Sequence, residues 1–203
     1  MQRRSGTYFI KYMEYLKNLT DFSTSLERAL DEIDPDWRDY PGTIVFGTHT
    51  FENYDEKMKL VKKAREKKTP FLGECGGLQM AVVEYARNVL GLDADTTELK
   101  PNTPEPVITK LPKLRVGIRN VQGRWESFWH NYTVNSDYFL RLNKDWEITL
   151  DSENIAAVMR LRDHPFFVGM QFHAGYNSTA SDPHPILKEF INVCKHSATT
   201  RHH

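Results

Sequence analysis

The segment Pro70-Phe71-Leu72-Gly73-Glu74-Cys75-Gly76-Gly77-Leu78-Gln79 constrains the fold more than any other part of the chain. A short apolar run ends in Gly, a Cys follows one residue later, then two Gly, and a helical pattern begins at once. This is the pattern of a nucleophile elbow, in which a reactive side chain stands on a sharp strand-to-helix turn. Its neighbours are small because the backbone there is tightly approached. A Cys so placed also lies at a helix N-terminus, where backbone N–H groups and the helix dipole favour the thiolate. The turn therefore predicts a strand entering a helix inside an α/β fold, and sulfur attack on a carbonyl or similar carbon.

The rest of the chain fits that frame. Leu19 to Ile33 carries apolar residues at Phe22, Leu26, Ala29, Leu30 and Ile33, a helical spacing. Thr43 to Phe46 reads as a short buried strand, Tyr54 to Lys68 as a charged helix and Gly77 to Leu90 as a strong helix stopped by Gly91. Thr7 to Met13 is a plausible first strand. Asp93 to Pro112, polar and rich in Pro and Thr, reads as a loop. The second half reads as strands at Val116–Ile118, Tyr132–Val134, Glu147–Leu150, Ile155–Leu161 and Phe166–Phe172. A helix from Ile186 to Cys194 follows, with proline in its first turn. Strand–helix alternation followed by antiparallel strands predicts a mostly parallel sheet flanked by helices, with an added antiparallel layer.

At 203 residues, one domain over residues 1–198 is expected, and Arg201-His202-His203 reads as the start of an affinity tag. Lys plus Arg and Asp plus Glu both number 27, so no basic excess points to nucleic acid. No apolar run approaches 18 residues, so no membrane span is expected. With two cysteines, Cys75 and Cys194, and no apparent secretory signal, a reducing cytoplasm is the expected compartment. Cys194 reads as a packing residue. No paired ligand spacing supports a metal site, and no Gly-rich phosphate loop is present, so no cofactor is expected.

The joined motifs resemble a family, the class I glutamine amidotransferases, and within it the glutaminase domain of CTP synthase. The likeness runs through Gly73-x-Cys75-x-Gly77-Leu78-Gln79, Val83 to Leu92, Asp93 to Glu98 and Thr103 to Ile108. It returns at His164 to Val168, Gln171-Phe172-His173 and Asp182 to Pro185. It implies a flavodoxin-like α/β fold and hydrolysis of the glutamine side-chain amide through a covalent intermediate. Carried over by position, Cys75 matches the nucleophile and His173 the base. Gln79 and Glu98 match positions that hold the amino-acid end of glutamine. Gly76 and Gly47 fall where the family binds substrate and oxyanion. The partners implied are glutamine or a related small amide, and either a synthetase supplied separately or a second copy of the chain.

Three departures surround that pocket. The family reads His-Pro-Glu where this chain has His173-Ala174-Gly175, so the carboxylate that orients the histidine is missing; its loss costs about 10⁴-fold in a Ser-His-Asp enzyme. The family's Gly-Gly-Phe-Gly oxyanion loop is replaced by Gly47-Thr48-His49-Thr50, which puts Thr48 and His49 at the substrate. An Arg/His-rich run, with an arginine for glutamine, is replaced by Ser127-Phe128-Trp129-His130-Asn131. Trp125, Phe128 and above all Trp129 are candidates for an aromatic substrate wall. Glu74 has open readings: a recognition group pointing into the pocket, a solvated side chain, a charge acting on the thiol, or a carboxylate reaching the free nitrogen of His173. The expected activity is a cysteine-dependent amide hydrolase or transferase; the alternative is a pseudo-glutaminase that binds a ligand or partner without turnover.

Overall fold

The computed structural model describes residues 21–47 and 53–199. The strand expected at Thr7–Met13, the residues Thr48 and His49, and the terminal Arg201-His202-His203 lie outside the described residues.

The described residues begin with α1 (Asp21–Ile33), then β1 (Thr43–Val45), α2 (Tyr54–Glu66), β2 (Phe71–Glu74) and α3 (Gly76–Asn88). These match the helices and strands read from periodicity. Between α1 and β1 lies only a 3-10 turn, Trp37–Asp39. After α3 come β3 (Ala94–Thr96), β4 (Glu105–Val121) and β5 (Arg124–Val134), then a one-turn α4 (Phe139–Leu142). The described residues end with β6 (Trp146–Leu150), β7 (Ala156–Leu161), β8 (Phe167–Met170) and α5 (Pro185–Thr199).

The main sheet has the order β1-β2-β8-β7-β6. β1, β2 and β8 are mutually parallel, β7 runs against β8, and β6 runs against β7. Four of the five strands therefore point one way and β7 alone opposes them. Phe71 of β2 packs with Met58, Val61 and Ala64 of α2 and Leu78 and Val82 of α3. The next residue, Leu72, packs on the other face with Leu26 and Leu30 of α1 and Leu187 and Phe190 of α5. Helices thus cover both faces, which is why β2 is buried at every position and its first three residues carry no polar side chain.

The stretch 93–112, expected to be a loop, contains β3 and the first part of β4. β3 pairs with β4 in parallel and β4 with β5 antiparallel, forming a second, three-stranded sheet. Pro112 falls where the β4–β5 register shifts between Lys110 and Arg115, a place where a missing N–H costs no ladder bond. Much of this hairpin is solvent-facing, so no run of apolar residues announces it. Gln122 and Gly123, both at positive φ, close the hairpin as a two-residue turn.

Candidate active site

β2 delivers the chain to the site and α3 takes it away. Between them Cys75 adopts φ 50° and ψ −103°, a left-handed conformation that a non-glycine residue enters only when its surroundings enforce it. Two contacts enforce it here. The Cys75 N–H donates to the Met170 carbonyl at the end of β8, at 2.7 Å. At Gly77 a Cβ would lie 2.1 Å from the Val45 carbonyl oxygen, so only glycine lets α3 start this close to β1. The elbow read from the sequence is thus a product of three adjacent parallel strands.

His173 follows β8 by three residues and is buried, 1% exposed. Its imidazole faces the Cys75 thiol, and Phe22 of α1 stacks on it with ring centroids 4.0 Å apart and planes 14° from parallel. Glu74 also lies beside it. The Glu74 carboxylate is fully buried and comes within 3.4 Å of His173 Nδ1. Burial alone would depress the histidine. The Cys75 thiol and the Glu74 carboxylate outweigh it and push His173 up to about 10.

Gly47 lies against all three groups: a Cβ there would sit 3.1 Å from His173 Cε1, 3.2 Å from Cys75 Cβ and 3.6 Å from Glu74 Oε2. The structure thus places Gly47 at the back of the Cys75–His173 pair.

Gly175 explains why the orienting carboxylate is missing from its usual position. A Cβ on Gly175 would meet the backbone of α1, at 2.4 Å from Ser25 C, 2.5 Å from Leu26 N and 2.6 Å from Ser25 O. Arg28 of the same helix donates to the Gly175 carbonyl at 2.7 Å and to the Ser178 carbonyl at 3.1 Å. α1 therefore occupies the space that a side chain at 175 would need.

In front of Cys75 is a cavity of about 230 Å³. Its walls include Cys75, Gly76, Gln79, Glu98, Trp129 and His173. Six of the nine expected site residues thus surround one space; Gly47 sits behind it and two fall outside the described residues. Of the proposed aromatic wall, Trp129 alone takes part. Its carbonyl oxygen lies 3.8 Å from Cys75 Sγ, and the residue is partly exposed. Phe128 belongs to the core cluster beneath, and Trp125 lies on the exposed face of the hairpin.

Gln79 and Glu98 serve the cavity differently. The Gln79 amide donates to the Tyr132 carbonyl at 3.0 Å, tying α3 to β5. Glu98 lies on the wall with its carboxyl raised, chiefly by burial, with Lys110 opposing. Among the described residues lining the cavity there is no Arg or Lys. His130 also lines it, but its Nδ1 pairs with the Tyr132 carbonyl at 2.9 Å and its Nε2 faces Arg115 at 3.4 Å. Burial drives it down to about 4, so it is neutral at pH 7. Asp182 and His184 brace the start of α5 away from the cavity: His184 Nε2 lies 3.0 Å from buried Glu126, and its Nδ1 accepts from Ile186 N–H.

Three contributors went unassigned in the sequence. Phe22 read only as a core position of α1. Gln171, part of the Gln-Phe-His run, is fully buried and donates to Cys75 Sγ at 3.5 Å. Glu74 had several readings, and the structure removes two of them: it is not solvated and does not line the cavity. No group of three or more His, Cys, Asp or Glu suited to a metal occurs among the described residues. No helix among them is long and apolar enough to cross a membrane.

The family model for glutamine amidotransferase class-I matches residues 13–193. CTP synthase of Aeropyrum pernix is 35% identical over 200 residues, an alignment spanning 84% of this chain and 37% of that enzyme. CTP synthase of Sulfolobus acidocaldarius is 37% identical over 198 residues, with the same coverage. The chain therefore spans little more than a third of the length of these relatives. Among solved structures, the Trypanosoma brucei CTPS glutaminase domain with bound acivicin superposes with a TM-score of 0.78. It is 20% identical and covers 92% of this chain and 91% of that one. With the elbow, the strand order and the match along most of its length in agreement, the chain belongs to the class I glutamine amidotransferase family, in a CTP synthase-like form.

Proposed function

We propose that the chain is a cysteine-dependent glutaminase whose ammonia serves an amination carried out elsewhere, on a longer chain or a separate synthetase. The observation that carries this reading is the Cys75 turn, held at positive φ with His173 facing the thiol across one cavity. Cys75, its proton already held by His173, attacks the side-chain carbonyl carbon of glutamine through Sγ. The oxygen that becomes negative is met by N–H groups in the first turn of α3, beginning at Gly76, which have no intrahelical acceptor. Return of the proton to nitrogen releases ammonia and leaves a thioester on Cys75. Water, deprotonated by His173, then attacks the thioester carbon; glutamate leaves and the thiol is restored. Glu98 supplies the negative charge for the substrate ammonium group, and Trp129 and Phe22 close the sides.

Acivicin, present in the Trypanosoma brucei glutaminase domain, is the fitting probe. It labels Cys75 of the wild-type protein, and Cys75→Ala abolishes both labelling and ammonia release from glutamine. No adduct on the intact protein after several hours at pH 8 refutes the reading.

The lack of Arg or Lys on the described cavity wall favours a second reading: a relative that binds glutamine, or an amide lacking the α-carboxylate, without turnover. Calorimetry showing glutamine binding, with no ammonia above the Cys75→Ala background, selects it.

A further inference from the structure

We infer that Glu74, the residue immediately before the nucleophile, is the positioning carboxylate of His173, replacing the acid that this family carries two residues after the histidine. The inference rests on the glutaminase reading only for the reaction it serves; the contact itself stands on geometry.

Four observations lead to it. First, the usual position is closed. A Cβ at Gly175 would lie 2.4–2.6 Å from the α1 backbone, so no side chain fits there with α1 in place. Second, Glu74 is a carboxylate inside a fully buried strand, with 0% exposure. Among the described residues neither of its oxygens has a hydrogen-bond partner. A buried carboxylate without a counter-charge is costly enough that it normally neutralises or finds one. Third, the group it reaches is His173 Nδ1, at 3.4 Å. Fourth, Glu74 does not line the cavity, which removes substrate recognition as the reason for its presence.

The strand register produces this contact. Glu74 pairs with Met170 in the β2–β8 ladder, so Glu74 and the chain leading to His173 leave the sheet side by side. Alternation along β2 makes the side chains of Leu72 and Glu74 project to the same face, the one covered by α1 and α5, where His173 also lies. Cys75, one residue later, turns into the cavity. His173 thus has both Glu74 and Cys75 beside it, while Phe22 covers a ring face. Such an arrangement fixes the ring orientation and supports the imidazolium that forms when the thiol gives up its proton. His130, the next titratable group acting on His173, is itself drawn down by burial and carries no charge at pH 7.

The test uses Glu74→Gln, which keeps the size of the side chain and removes its charge, with Glu74→Asp as the conservative partner. Two quantities are read in each folded variant: the acivicin labelling rate of Cys75 from pH 6 to 9, and the His173 titration by NMR. The expected result for Glu74→Gln is a 10- to 1,000-fold slower labelling rate, smaller than the loss in a serine enzyme because thiols are intrinsically more nucleophilic. The His173 titration moves down in the same variant, KM for glutamine changes less than threefold, and Glu74→Asp keeps labelling within tenfold of wild type. If Glu74→Gln fails to fold, Glu74→Asp and Glu74→Met carry the comparison, with Met expected to behave as Gln. Wild-type labelling and an unmoved His173 titration in Glu74→Gln or Glu74→Met overturn the inference. Failure of the glutaminase reading shows separately: wild type is then unlabelled, yet the His173 titration still moves in the variant.

Discussion

Gly175→Ala tests how tightly α1 seals the space behind His173. The residue belongs to the 3-10 turn Ala174–Asn177. It does not have positive φ, so alanine meets no backbone penalty and the effect is steric. The new methyl lies 2.4 Å from Ser25 C, whereas ordinary contact begins at 3.4 Å. α1 must therefore withdraw by roughly 1 Å, and because the obstacle is backbone, no rotamer change absorbs it. Overpacking of this kind costs about 1–3 kcal/mol, and a rigid neighbour places it near the top of that range. The Arg28 bonds to the Gly175 and Ser178 carbonyls loosen with the helix, adding little because the guanidinium is half exposed. A loss of about 3 kcal/mol in a domain of this size lowers Tm by about 6–12 °C. Differential scanning calorimetry, with urea unfolding to check that the m-value is unchanged, measures it. A Tm within 2 °C of wild type refutes the close approach of α1. Gly175→Glu, the residue that restores the family motif, is expected to be less stable still and not to rescue Glu74→Gln.

Glu98→Gln removes the one carboxylate on the described cavity wall. Losing a charged hydrogen bond of about 1.5–3 kcal/mol raises KM for glutamine roughly 10- to 100-fold with kcat little changed; an unchanged KM removes Glu98 from substrate binding. Stability should peak near pH 6.5 and fall on both sides. His130, depressed to about 4 from 6.5, takes up a proton only on unfolding as pH drops through that interval. Glu126 is raised by burial but lowered further by its His184 and Asn177 bonds. It adds stability above its unfolded value, which is lost as pH falls through the folded one. His173, raised to about 10, contributes fully below 6.5 and loses that contribution as pH rises toward 10. Urea unfolding at constant salt from pH 4 to 10 measures the curve, and a plateau from 6.5 to 10 contradicts the alkaline arm.

The elbow was the most legible part of the chain because its chemistry is local. Gly77 is there for Val45, and a Gly-x-Cys-x-Gly spelling after Phe71-Leu72 announces the approach without any knowledge of Val45. α2 and α5 were legible for a similar reason, since one-sided burial leaves a 3.6-residue period in the sequence, and α3 because it is apolar along most of its length. Of β4 only Val116–Ile118 was legible; its first part was read as loop, because it is short of alternation and Pro112 sits at a register shift. Glu74 stayed open among several readings, and Phe22 escaped, for a different reason. Whether a carboxylate one residue before a nucleophile points into the cavity or beneath it depends on the pleat of β2. Whether Phe22 covers a leucine or an imidazole depends on how α1 crosses β8. Neither is a property of neighbouring residues in the chain. Gly175 shows the same limit: its bare α-carbon read as a loss, whereas in the fold it is the condition for docking α1.

The bond from Cys75 N–H to the Met170 carbonyl has a consequence for how the protein comes apart. It joins the turn to β8 between two strands buried on both faces, so the Cys75 amide should exchange its hydrogen only when the sheet opens as a whole. α1 is peripheral by comparison, and its amides should exchange through smaller, more frequent openings that lift Phe22 from His173. Heat or denaturant should then uncover the imidazole well before it displaces the sulfur, leaving a window in which Cys75 is still held in its turn while one face of His173 is open to water.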